Sequence, residues 1–201
     1  MNKPLEAFQA RCSRFFASLW PGEEKTLVFG FGKEENPELM LIGEAPGEQE
    51  VLEGKPFVGK AGKNLTAFLE GVDLKRGDIY ISNTVKIRPT KISDKRRVVN
   101  RPPTREEISL FLPYLKEEIA LVKPKMLVTL GNVALKALNG KDAVIGQCHG
   151  RVFDVAVDEK AGLKIPLFAL YHPASVIYNR QLTQVYLDDL QTLKALIHIK
   201  E

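Results

Sequence analysis

Two short segments of this 201-residue chain have the residue types needed for opposite ends of one pocket. Gly43-Glu44-Ala45-Pro46-Gly47 follows the apolar run Leu39–Ile42, and His172-Pro173-Ala174 follows the run Pro166–Tyr171. Both runs read as buried strands, and open α/β sheets bind ligands beyond the carboxyl ends of their strands. In the first segment, glycines at both ends allow a sharp turn with exposed N–H groups, and Pro46 stiffens it. Glu44 adds a carboxylate, with Glu48 and Glu50 close behind. Acids in the first turn of a helix are also common for dipole reasons. The second segment supplies an imidazole. Histidines stand only at 149, 172 and 198. His149 falls in a turn, His198 near the C-terminus is expected to be solvated, and His172 sits at a strand end. Such a histidine is either a structural hydrogen bonder or a catalytic group.

Three further features bear on a planar, anionic ligand. Phe57 lies in the glycine-rich stretch Gly54–Gly62, where an aromatic either stacks on a ligand ring or anchors the loop. Gly59, Lys60 and Gly62 look like a phosphate cradle but lack the Gly-Lys-Ser/Thr of a Walker A loop. Asn83 ends the run Ile79–Ser82, and its amide offers a donor and an acceptor, suited to a base edge or to a turn cap. After His172, the segment Ser175-Val176-Ile177-Tyr178-Asn179-Arg180 mixes apolar and basic residues and can wedge into a base stack.

Charge is concentrated in one place. Between Lys86 and Arg105 eight bases (Lys86, Arg88, Lys91, Lys95, Arg96, Arg97, Arg101, Arg105) face one acid, Asp94. That window carries +7, which leaves −3 for the rest of a chain whose total is +4. A local positive patch is the footprint of a polyanion partner or a solvated loop.

The elements that position these residues follow from periodicity. Leu5, Phe8, Cys12, Phe15, Phe16 and Leu19 have helical spacing over 5–19. Strands are expected at 38–42, 78–82, 125–130, 152–157 and 165–171, with a short strand or extended arm at 26–31. Helices are expected at 62–72, 131–138 and 182–197. Residues 84–103 read as a long loop, and Thr104-Arg105-Glu106-Glu107 as a capping box opening a helix to Val122. Strands alternating with helices mean an α/β fold, three layers with a mainly parallel sheet covered on both faces.

Composition sets outer bounds. With 44% hydrophobic and 27% charged residues, 1–201 is expected to be a single globular domain. No apolar run approaches the ~20 residues of a membrane span. The start of the chain has no signal-peptide core, so a cytoplasmic protein without membrane partners is expected. Two cysteines argue against a disulfide framework and cannot supply a four-thiolate site; no metal and no cofactor are expected. No coiled-coil pattern appears, and a monomer is expected.

Together these segments resemble the uracil-DNA glycosylase superfamily, most nearly its bacterial and archaeal family-four branch. The carriers are Gly43–Gly47 with Glu48-Gln49-Glu50, Gly54–Gly62, Tyr80–Pro89, Asn100–Pro103, Lys123–Gly131 and His172–Ala174, in order. One departure stands out. The branch holds a four-iron cluster on four cysteines; here Ile87 and Phe111 stand at two of those places, and Cys12 has no close partner.

The resemblance implies a three-layer α/β/α fold on a four-stranded sheet, and a repair enzyme that flips uracil from DNA and hydrolyses its N-glycosidic bond. It implies that His172 donates to the leaving uracil, Asn83 reads its Watson–Crick edge, Phe57 stacks on it, and the backbone around Gly43, Glu44 and Ala45 contacts it. Glu50 is implied as the water-positioning carboxylate, with Glu44 as the alternative. Val176, Ile177 and Tyr178 would fill the vacated stack. Ser175 and Arg180, together with Lys86, Arg88, Arg96, Arg97 and Arg101, would hold DNA. Alternatives are a glycosylase for other deaminated bases, a catalytically silent lesion binder, and, last, a nucleotide-binding flavodoxin-like module.

Overall fold

Asn2 starts the first helix: its side chain accepts a hydrogen bond from the Leu5 amide at 3.3 Å. That N-cap satisfies one of the amides a helix start leaves orphaned. Helix α1 spans Lys3–Leu19 and buries Leu5, Phe8, Cys12 and Phe16. The computed structural model describes residues 2–23, 25–158 and 161–198, the side chain of His198 excepted, so the expected solvation of His198 falls outside it.

After α1 the chain runs as an extended arm, with Val28 N donating to Lys86 O at 2.8 Å, into the two-residue strand β1 (Phe31–Gly32). There follow β2 (Leu39–Gly43), α2 (Glu48–Glu53), α3 (Lys60–Glu70), a short 3-10 turn, β3 (Tyr80–Asn83), β4 (Thr90–Ile92) and β5 (Val98–Asn100). The second half holds α4 (Arg105–Val122), β6 (Met126–Leu130), α5 (Asn132–Asn139), α6 (Ile145–Cys148), β7 (Val152–Asp158), β8 (Leu163–Leu170), α7 (Pro173–Tyr178) and α8 (Leu182–His198). Helix α4 begins with the expected capping box. Thr104 Oγ1 accepts from Glu107 N at 3.2 Å, and Glu107 Oε2 accepts from Thr104 N at 2.7 Å.

The main sheet has the order β1-β3-β2-β6-β8-β7. Strands β3, β2, β6 and β8 are parallel. These are the four the family resemblance implies. The sheet is wider than that: β1 and β7 flank it antiparallel and make it six-stranded.

Side chains alternate along each central strand, and the alternation makes two cores. Met40, Ile42, Tyr80 and Leu127 pack on α1, α4 and α5; Leu39, Leu41, Ile81 and Val128 pack on α3 and α8. Because the central four strands are parallel, the ends at Gly43, Asn83, Leu130 and Leu170 emerge on one edge. Register sets Gly43 beside Asn83, and Leu130 beside Leu170.

The stretch 84–103 is not a plain loop. It holds β4 and β5, a hairpin paired only with itself. Neither strand has a core face, so no buried alternation marks them in the sequence.

Candidate active site

At the carboxyl edge of the sheet lies a cavity of about 380 Å³ whose lining includes Ala45, Glu50, Phe57, Asn83, Asn100 and His172. The two segments singled out in the sequence therefore meet, although they lie far apart along the chain.

His172 is the N-cap of α7. Its Nδ1 accepts a hydrogen bond from Ala174 N at 3.2 Å. An imidazole that accepts at Nδ1 carries its proton on Nε2 when neutral. Burial lowers its pKa to about 4, so the ring is neutral at physiological pH. The cavity is thus lined by a neutral imidazole with a fixed tautomer and an N–H donor that has no partner among the described residues. The Phe57 and His172 ring centroids are 5.9 Å apart.

Phe57 is held by backbone geometry rather than by a strand or helix. Its φ is +55°, a left-handed conformation that costs energy for a bulky residue. Gly62 lets the backbone pass: a Cβ there would run into the Phe57 carbonyl. Arg76 supports the same turn by donating to Pro56 O at 2.6 Å and to Thr66 Oγ1 at 3.2 Å. Gly43 is the spacer of the site. A Cβ on it would lie 2.5 Å from both Asn83 Oδ1 and Phe57 Cζ, so only glycine lets those two groups approach this closely.

Asn83 is 1% exposed, and its Oδ1 has no hydrogen-bond partner among the described residues. Buried polar atoms are normally satisfied. An orphaned acceptor on a cavity wall is free to receive a hydrogen bond from a ligand.

Glu50 works as a clamp. Oε2 accepts from Gly47 N at 3.0 Å, and Oε1 accepts from Val58 N at 3.0 Å and Gly59 N at 2.8 Å. One carboxylate thereby ties the Gly43–Gly47 turn to the Phe57 loop while facing the cavity. Glu44 is half-buried outside the lining, and desolvation raises its pKa.

The structure also corrects the expected DNA contacts. Lys86 is 1% exposed and points inward to Glu118, Ser82 and the Asn83 carbonyl, so it cannot meet phosphate. Val176 is buried in the α3–α8 core and cannot fill a base stack. Arg101 is spent on a bidentate bond to Glu107, 2.7 Å on both branches. Arg88 donates to Asn100 Oδ1 at 2.7 Å and lies 3.6 Å from Glu48. Arg96, Arg97 and Arg180 are exposed, and Ser175 is half-buried. Ile177 and Tyr178 line the cavity, Tyr178 with 88% of its surface free.

Asn100 also lines the cavity, a place the sequence did not suggest for it. It opens the Asn100–Pro103 segment, but nothing in that spacing says the hairpin folds back to the pocket. With Oδ1 taken by Arg88, its Nδ2 is left to donate beside Gly47.

The residues present do not fit an iron–sulphur cluster, which needs four thiolates. Ile87 and Phe111 are buried in one core with Cys12, and the Phe111 ring stacks on Phe16 at 4.4 Å. Burial pushes the Cys12 thiol up to about 11, away from the thiolate a metal needs.

A three-layer α/β fold with an imidazole, an orphaned amide oxygen and an aromatic ring around one cavity at the carboxyl edge of its sheet has a site suited to a planar heterocycle. Residues 29–193 match the Uracil DNA glycosylase superfamily, and the chain belongs to that superfamily. It is 36% identical to a Type-4 uracil-DNA glycosylase of Archaeoglobus fulgidus, over 87% of this chain and 83% of that one. It is 39% identical to a Type-4 uracil-DNA glycosylase of Saccharolobus solfataricus, over 81% of this chain and 73% of that one. The crystal structure of wild-type SMUG2 from Pedobacter heparinus shares the fold, with a TM-score of 0.55 at 15% identity, over 80% of this chain and 76% of that one.

Proposed function

We propose that this protein is a monofunctional uracil-DNA glycosylase, hydrolysing the N-glycosidic bond of a uracil flipped out of DNA and leaving an abasic site. The observation that carries the reading is the shared cavity. The neutral His172 donor, the unpartnered Asn83 Oδ1 and the Phe57 ring all line it.

Breaking the C1′–N1 bond leaves the electron pair on uracil, mostly on O2, and positive charge on the sugar. A fixed N–H donor at O2 stabilises that anion without reorganising, the kind of preorganisation that dominates many rate enhancements. His172 is that donor. Because its ring is neutral and desolvated, it gives a hydrogen bond and keeps its proton. Asn83 Oδ1 accepts from uracil N3–H and its Nδ2 donates to O4. Cytosine presents an acceptor at N3 and a donor at C4, which sets like against like, and such mismatches in a buried site discriminate strongly. Phe57 stacks on the extruded ring. Glu50, a fixed negative charge facing the cavity, steadies the cationic sugar and orients the attacking water. Water supplies hydroxide to C1′, and its proton ends on uracil. Tyr178 and Ile177 occupy the space the base leaves. Arg96, Arg97 and Arg180 hold phosphates, and the enzyme works as a monomer.

The test is release of free base from single- and double-stranded oligonucleotides containing uracil, followed by alkali cleavage. Strand breaks at uracil are expected, with hypoxanthine and cytosine oligonucleotides intact. Intact uracil strands at high enzyme would overturn the reading. Breaks at hypoxanthine would widen the substrate range.

A further inference from the structure

The β4–β5 hairpin presents more than positive charge. Its register pairs Thr90 with Asn100, Lys91 with Val99, and Ile92 with Val98. Opposed residues in an antiparallel pair share a face, as do residues two apart. Thr90, Ile92, Val98 and Asn100 therefore share one face, and Asn100 of that face lines the cavity. Farther out, Ile92 and Val98 stand opposite each other, 66% and 56% exposed. The turn beyond them is closed by Arg96 N donating to Ser93 O (2.8 Å) and Ser93 N donating to Arg97 O (2.9 Å). Lys95, Arg96 and Arg97 on that turn are exposed, and none forms an ion pair among the described residues.

An isolated two-stranded hairpin is marginal in water. This one is braced at its root. Arg101 N donates to Pro89 O at 3.0 Å, Arg101 Nε to Thr90 O at 3.1 Å, and Arg88 Nε to Asn100 Oδ1 at 2.7 Å. The root is stapled to the active site, whereas the outer aliphatic pair is more than half exposed and the three cations of the turn are exposed.

We infer that the β4–β5 ribbon reads duplex DNA beside the extruded nucleotide, with Ile92 and Val98 against sugars and base edges of the opposite strand and the Lys95-Arg96-Arg97 turn on its phosphates. This rests on the glycosylase reading of the cavity. A single strand feeds its uracil into the pocket at the ribbon's root. From Asn100 to Arg97 the extended ribbon reaches about 10 Å at ~3.3 Å per residue, and the turn carries Lys95 and Arg96 slightly farther, comparable to the ~12 Å width of a major groove. The cationic turn therefore spans the groove toward the opposite strand, with the aliphatic pair between it and the root. A two-stranded ribbon is one of the shapes the DNA major groove admits, and aliphatic side chains make apolar contacts with base edges there. Three cations at the tip match the phosphates a duplex offers there and a single strand does not.

The test is the Ile92→Ser/Val98→Ser double variant of the full chain. Binding by fluorescence anisotropy and single-turnover base release are measured with one uracil oligonucleotide, alone and paired. Removing the two aliphatic side chains is expected to weaken duplex binding about tenfold and to slow duplex repair, with the single strand unchanged. Equal loss on both substrates, or no loss on either, overturns the inference. Independently, benzophenone at position 92 of the otherwise unaltered chain is expected to cross-link to the strand opposite uracil; no adduct on that strand overturns it. If the unaltered chain releases no uracil from either substrate, the glycosylase reading fails, and the binding comparison still decides the ribbon.

Discussion

Lys86 Nζ lies 2.6 Å from Glu118 Oε2, with both side chains sealed from solvent, and the same ammonium donates to the carbonyl of Asn83 at 2.7 Å. Every polar atom of the pair is used. Lys86 also donates to Ser82 Oγ, while Glu118 accepts from Gly30 N, Tyr80 Oη and Ser82 Oγ. The ion pair thus pins the strand end from which Asn83 reaches the cavity. Removing one partner strands a buried charge. Glu118→Ala is expected to cost about 3–5 kcal/mol in urea unfolding, and the paired Lys86→Met/Glu118→Leu change much less. A Glu118→Ala protein as stable as the parent would dispose of this account.

On the proposed mechanism, His172→Ala removes the donor to the departing base and leaves Arg96, Arg97 and Arg180 in place. Base release is expected to fall about 10²–10³-fold, with affinity for uracil-containing DNA nearly unchanged. Single-turnover rates and binding isotherms on one oligonucleotide separate the two. A large loss of affinity with an unchanged rate would strike His172 from the chemistry.

Acid should destabilise the fold through the same residue. The unfolded chain takes up a proton at His172 near pH 6.5, and the native one only at about 4. Between those values the unfolded state binds more protons, so stability falls as pH drops from about 6.5 to about 4, by about 3 kcal/mol in all. It levels off below that window. His172→Gln is expected to flatten this part of the stability–pH curve; an unaltered curve would count against a desolvated neutral imidazole.

Arg96→Glu/Arg97→Glu is expected to weaken DNA binding across all sequences, with base release at saturating enzyme retained. The log–log salt dependence should shallow by about 0.9 for each phosphate that the variant no longer neutralises. Titrations at several salt concentrations measure both.

Glu50→Gln would turn an amide N–H₂ against backbone N–H groups that now share a carboxylate. The clamp between the Gly47 turn and the Phe57 loop is expected to lose about 1–3 kcal/mol, with a slower base release. Thermal unfolding and single-turnover rates report the two effects separately.

Much of this protein could be read along the chain. The central strands announce themselves because a strand covered on both faces is a continuous apolar run, as in Leu39–Ile42. The start of α4 is written in Thr104 and Glu107, whose side chains need only a few residues of context to find their partners. His172 was legible as a candidate because it stands just beyond a strand, Asn83 because it ends one, and Phe57 because it is an aromatic in a glycine-rich stretch. The sheet's edges were less visible: β1 is two residues long, and β4 and β5 bury no face.

What the sequence determined by itself was local: which segments are strands and helices, and which residue types end them. Tertiary structure decided the rest, because burial and partnership are set by residues distant in the chain. Lys86 sits in a basic run and reads as a phosphate ligand, yet Glu118, 32 residues on, draws it into the interior. Val176 reads as a wedge, yet the α3–α8 core swallows it and leaves Tyr178 outside. Asn100 has no local mark of function and reaches the cavity only because its hairpin folds back over the Gly47 turn.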